Sequence, residues 1–131
     1  MEEVYHVSDL AATNGHALGA MDYYDTDYTT GGSFEGTGVW DVMAQGSWNN
    51  DGITPVHFNP YVKAYDFGWV GVTTLTHTGD YSLHPSIGEK DGVYRVDTGS
   101  EGILLLESRV RDGFDTALPG EADGVSRASP D

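Results

Sequence analysis

The residues best suited to chemistry fall within seven positions, His16, Gly19 and Asp22 in "HALGAMD". An imidazole and a carboxylate, with a glycine between them that lets the chain turn back, form a donor set for a divalent metal such as zinc. A helix that offers zinc two imidazoles carries them at i and i+4. A Glu after the first takes a proton from metal-bound water, and extended forms add a Gly and a third ligand three and six residues beyond the second His. His16, Gly19 and Asp22 have the spacing of that second half. In the first half, Ala12 stands four residues before His16, and Thr13 occupies the general-base position. A methyl group binds no metal and a hydroxyl is no carboxylate base. Loss of a general base alone lowers a rate by about 10²–10⁴.

Other residues carry weaker signals. In "DYYDTDY" the carboxylates of Asp22, Asp25 and Asp27 make an oxygen-rich loop, with Asp25 and Asp27 as calcium candidates; the run lacks EF-hand order and its closing Glu, and a solvated loop is the alternative. His6 or Asp9 would replace Ala12 as a ligand if the N-terminal segment folded back, whereas His57, His77 and His84 read as surface or strand residues. Met43, among Val39, Trp40 and Val42, reads as core, as do Trp40, Trp48 and Trp69. Arg109 and Arg111, beside Glu107, Asp112 and Asp115, suit the bracing of a loop by ion pairs.

The elements that must position these groups follow from local pattern. Ser8 as N-cap, Asp9 in the first turn and Gly19 as a stop signal predict a short helix through about Leu18, weakened inside by Asn14 and Gly15. From Asp22 to Gly38 the absence of periodicity predicts a long acidic surface loop. The segment "VWDVMAQGSW" is apolar enough to be buried, and "NNDG" after it is a turn signal. Asn59 as cap, Pro60 in the first turn and Tyr61, Ala64 and Tyr65 on one side predict a second helix ended by Gly68. Beyond Trp69 the period becomes two: "VGVTTLTH", "DYSLHPSI", "GVYRVDT" and "EGILLLESR" predict a three- or four-stranded antiparallel meander. The fold class expected is α+β, in a single small domain spanning residues 1–131.

Bulk composition narrows the function. With 131 residues, 21 Asp and Glu against 6 Lys and Arg, and a formal net charge of −15, the chain repels nucleic-acid phosphates and anionic lipid, so neither is an expected partner. The absence of Cys excludes thiolate ligands, leaving His, Asp, Glu and backbone oxygen for any metal. The longest apolar run, "ILLL" at residues 103–106, is too short to span a membrane, and "MEEVYHVSDLAATNG" has no basic region followed by an apolar stretch.

Four segments in order, "GHALGAMDYYDTDY", "GVWDVMAQGSWNNDG", "TPVHFNPYVKAYDFGW" and "LLLESRVRDGFDTALPGE", resemble the catalytic region of the immune inhibitor A family of secreted zinc metallopeptidases. The resemblance covers residues 15–121. It implies that His16 and Asp22 are zinc ligands, that Met43 is the methionine of a Met-turn beneath the metal, and that the acidic loop holds calcium at Asp25 and Asp27. It also implies zinc-dependent hydrolysis of a peptide or protein substrate. With Ala12 and Thr13 in place of His and Glu, the expectation is an incomplete site with weak or no activity. Any remaining activation of water would fall to the metal alone or to a carboxylate outside the helix, such as Asp22, Asp25 or Glu35. The alternatives are a non-catalytic calcium-binding module and an accidental fragment of a peptidase gene. In the second case residues 1–11 and 121–131 would be unrelated or flexible ends.

Overall fold

The computed structural model describes residues 7–85 and 92–119. Their contacts group into two units, one comprising residues up to Asn59 together with the segment from Arg111, the other running from Pro60 to Val110. Helix and sheet occur together, as an α+β chain requires. His6, and residues 1–6 and 121–131 of the expected ends, lie outside the described residues.

The first unit opens with α1, Val7–Ala17. Its end follows the reading from Gly19. The Gly19 N–H donates to the His16 carbonyl and the Ala20 N–H to the Gly15 carbonyl, both at 3.0 Å, a Schellman turn around a residue at φ 103°. Its start does not. Ser8 lies inside the first turn rather than capping it: its side chain is buried, and its N–H donates to the Gly52 carbonyl at 3.2 Å. A tertiary contact therefore sets this end, overriding the local preference of serine for a cap. Gly15, read as a weakness, has a packing role. A β-carbon there would collide with Met43 Sδ and come 2.9 Å from the Phe58 ring, so only glycine lets these side chains reach the helix.

The core of this unit is Val42, Met43, Ala44, Val56 and Leu118, where each fully buried large apolar side chain contributes about 1.5–3 kcal/mol. At its centre is a carboxylate. Asp41 is fully buried; its Oδ1 accepts from the Met43 and Asn59 backbone N–H at 3.1 and 3.2 Å, and its Oδ2 from Thr37 Oγ1 and Asn59 Nδ2 at 2.8 and 2.6 Å. Four donors offset the cost of burying the charge. Buried Asp115 plays a similar part, accepting from the His57 N–H at 2.9 Å.

The second unit begins with one wide π-type turn, Val62–Asp66, closed by the Phe67 N–H on the Val62 carbonyl at 2.9 Å and followed by Gly68 at φ 67°. The second helix is thus present but shorter than expected. Asn59 does not cap it, because its amide is held by Asp41. Tyr61 and Tyr65 do share a side, their ring centroids 5.1 Å apart. The wide turn places Val62 and Lys63 inside, where Lys63 Nζ meets Glu107 at 2.6 Å. Arg109, also shielded, lies 3.7 Å from the same carboxylate, the bracing role expected of it.

Three strands, β1 (Val72–Thr74), β2 (Val93–Asp97) and β3 (Ile103–Glu107), form a sheet in that order. The expected antiparallel meander requires correction. β2 and β3 are antiparallel, with Val93 opposite Glu107 and Asp97 opposite Ile103, but β1 runs parallel to β2, with Val72 opposite Val93. The long connection over residues 75–92 supplies the crossover length that a parallel pair needs. "DYSLHPSI" makes no sheet strand in its described part, only a single bridge between Pro85 and Ser108, and proline has no N–H with which to extend a ladder. Trp48 and Trp69 are also corrected: both are more than half exposed. Among the described residues no helix is long and apolar enough to cross a membrane.

Candidate metal centre

The Schellman turn at Gly19 sends the chain back along α1, and the Tyr23 N–H then donates to the Met43 carbonyl at 3.0 Å. These two constraints bring Asp22 to the end of the helix. Asp22 Oδ1 lies 3.0 Å from His16 Nε2, and both side chains are partly exposed. The other ring nitrogen, His16 Nδ1, lies 3.0 Å from the Ala20 carbonyl oxygen. A carbonyl only accepts, so Nδ1 carries the hydrogen and Nε2 of the neutral ring presents a lone pair. That lone pair faces a carboxylate oxygen, and two acceptors at this distance need a proton or a cation between them.

His16 and Asp22 border an open cavity of about 460 Å³ whose walls also include Ala12, Thr13, Met43, Tyr24, Tyr28 and Trp48. Ala12 and Thr13 therefore face the space that the two donors face. Met43 is buried in a turn that the Ala44 N–H closes onto the Asp41 carbonyl at 3.1 Å, and its sulfur packs against Gly15, next to His16 in α1. The carboxylate of Asp22 raises the pKa of the Tyr24 phenol, with slight burial and Tyr28 adding to the effect.

The donors do not make a complete catalytic zinc site. Such a site takes three protein ligands and leaves one position open. Here one imidazole and one carboxylate converge, and Ala12 supplies only a methyl group. Among the described residues no group of three or more His, Asp or Glu is placed to hold a metal ion. Asp9 lines the same cavity, so its side is the right one, but it does not complete such a group.

Asp25 and Asp27 are engaged with their own loop. Asp25 Oδ1 accepts from the Asp27 and Tyr28 N–H, both at 3.1 Å, and Asp27 Oδ1 from the Thr29 and Thr30 N–H at 3.0 and 3.1 Å. The Thr29 and Thr30 amides are the main reason that the Asp27 carboxyl is held down at about 2. Asp25 Oδ2 is shielded from solvent and makes no hydrogen bond. Glu35 is exposed, as are His77 and His84, and His57 is half-buried.

Sequence reasoning missed Asp41, which holds the Met43 turn. Its only signal is an acid inside the apolar run "VWDVM".

The sequence profile of the family described as "Immune inhibitor A peptidase M6, catalytic domain" matches residues 6–74, more than half of the chain. The chain belongs to this family. It is similar to Immune inhibitor A of Bacillus thuringiensis subsp. alesti, with 45% identity over 53 residues, which cover 39% of this chain and 7% of that protein. It is also similar to Pre-pro-metalloprotease PrtV of Vibrio cholerae serotype O1 (strain M66-2), with 35% identity over 65 residues, 48% of this chain and 7% of PrtV. The matched part of the chain thus spans less than a tenth of either relative. No solved structure matches it significantly.

Proposed function

We propose that this chain is the downstream part of a zinc metallopeptidase catalytic framework that keeps a two-donor metal position at His16 and Asp22 and has weak or no peptide-hydrolysing activity. The observation that carries the reading is the cavity wall. Ala12 and Thr13 line the same space as His16 and Asp22, so a methyl and a hydroxyl stand where H-E-x-x-H would direct an imidazole and a carboxylate. Met43 fits the place of a Met-turn methionine beneath the metal. Because the donor set falls one ligand short of a catalytic zinc, no hydrolytic step follows from it. The expected behaviour is weak zinc binding without efficient cleavage of a protein substrate such as casein.

Calorimetric titration with zinc tests this, alongside casein hydrolysis. Wild-type protein should bind one equivalent of zinc, and His16→Ala or Asp22→Ala should abolish binding. Brisk hydrolysis that survives both substitutions would sink the proposal. A second reading, a non-catalytic module that holds calcium at Asp25 and Asp27, is favoured by the solvent-shielded Asp25 Oδ2 without a hydrogen bond. A melting temperature raised by calcium and not by zinc would select it.

A further inference from the structure

We infer that the cavity beside α1 is a seat for a small organic cation, a quaternary ammonium ion such as choline, held by aromatic rings and carboxylates and needing no metal. Such binding is independent of the two-donor reading of His16 and Asp22. Three rings, Tyr24, Tyr28 and Trp48, line the cavity, and all three are exposed, so a ligand can reach them. The face of an aromatic ring attracts a cation, that of Trp most strongly. Charge points the same way. Asp9 and Asp22 stand in the wall against a single titratable base, His16, and among the described residues no Lys or Arg lines it, so the space is negative whichever form the imidazole takes. Ala12, Val42, Met43 and Ala44 add an apolar lining that suits the methyl groups of a quaternary ammonium, whereas a primary ammonium ion would surrender strong hydration there. Ser8, 1% exposed in the same wall, has a hydroxyl with no hydrogen-bond partner, a polar group that the protein leaves unpaired at this place. At about 460 Å³ the cavity falls among small-molecule sites, which run from about 300 to 1,000 Å³. The same wall separates the sources of the cation. A phosphocholine headgroup would bring its phosphate against Asp9 and Asp22, so the ligand that fits is the free ammonium alcohol rather than a lipid.

The test is titration of the full chain, stripped of metal by dialysis against a chelator, with choline, followed by nuclear magnetic resonance through the N-methyl protons of the ligand. Choline should bind with a Kd on the order of 1 mM, and the ring currents of the aromatic wall should move its methyl signal upfield. Dimethylbutanol, the neutral carbon isostere of choline, should bind at least about tenfold more weakly, because it has the shape without the charge. Phosphocholine should also bind more weakly than choline. Trp48→Leu and Tyr28→Leu, which keep apolar bulk and remove one ring, should each weaken choline by about 2- to 30-fold, and Tyr28→Phe, which keeps the ring, should not. Asp9→Asn should weaken choline and leave dimethylbutanol unchanged. All three positions are exposed, and circular dichroism confirms that the variants are folded; the comparison of ligands needs no variant. Absence of choline binding, equal binding of dimethylbutanol or of phosphocholine, or full choline affinity in both Leu variants overturns the inference. Each of these outcomes leaves the two-donor reading to be decided by its own zinc titration.

Discussion

Replacement of Asp41 by Asn changes one atom of a fully buried side chain and tests whether its carboxylate organises the first unit. Asp41 accepts four hydrogen bonds, two from backbone N–H groups on Oδ1 and two from Thr37 and Asn59 side chains on Oδ2. In Asp41→Asn the amide oxygen keeps both backbone donors, now as a neutral acceptor. The new NH₂ can donate to Thr37 Oγ1, since a hydroxyl also accepts. Toward Asn59 Nδ2, 2.6 Å from Oδ2 in the native protein, two donors would oppose each other. That conflict costs about 1–3 kcal/mol, and three bonds that pass from charged to neutral lose about 0.5–1 kcal/mol each. The total of about 2.5–6 kcal/mol is a large share of the roughly 5–15 kcal/mol that holds a domain together. Urea unfolding followed by circular dichroism should show the midpoint falling by about 2 M for an m-value near 2 kcal/mol/M. Adding Asn59→Asp restores an acceptor opposite the new amide and should recover at least about 1 kcal/mol as a coupling energy. A loss below about 1 kcal/mol in the single variant, or no recovery in the double, would refute the role given to this carboxylate.

Three further outcomes follow from the packing and the ionisation. Gly15→Ala should destabilise the protein by about 1–3 kcal/mol in thermal melts, although alanine favours an isolated helix by nearly 1 kcal/mol, because the added methyl meets Met43 and Phe58. Glu107→Ala, which removes the carboxylate facing the buried Lys63 ammonium, should cost about 3–5 kcal/mol in chemical denaturation. Lys63→Met, which leaves Glu107 beside Arg109, should cost less. The Asp27 carboxyl is lowered from 3.8 to about 2, so its contribution to loop order is complete above pH 3.8 and is lost as pH falls through about 2. The Thr29 and Thr30 amide resonances should titrate with that lower midpoint, and a midpoint near 3.8 would contradict the two hydrogen bonds.

What could be read from the sequence was the part governed by local rules. Gly19 ends α1 because a Schellman turn needs a residue at positive φ, and the spacing from His16 to Asp22 implies a shared site once that turn is made. Tyr61 and Tyr65 share a side for a similarly local reason. Where distant contacts decide, the residues misled. Ser8 looks like a cap but is buried and bonded through its backbone to Gly52, and Asn59 looks like a cap but is taken by Asp41. Alternation in "VGVTTLTH" identifies a strand without giving its direction, which depends on how residues 75–92 cross the sheet. Trp48 and Trp69 look like core residues, yet indole tolerates exposure, as their half-open positions show. Asp41 is hard to recognise because most acids of so acidic a chain belong to its surface, and only its apolar neighbours distinguish it.

The His16–Asp22 contact closes a loop of seven residues, and the Ala20 carbonyl ties the imidazole to that same loop. By contrast, Asp41 and Asn59 are 18 residues apart, and His57 and Asp115 are 58 apart. A ten-residue loop closes in about 10–100 ns and a short helix relaxes within about 1 μs, while distant pairs wait on a larger search. In the order of assembly, then, α1 and its final turn form first, and the later bond from the Tyr23 N–H to the Met43 carbonyl fixes Asp22 beside His16. The turn that carries both side chains is thus older in the order of folding than the cavity that they border.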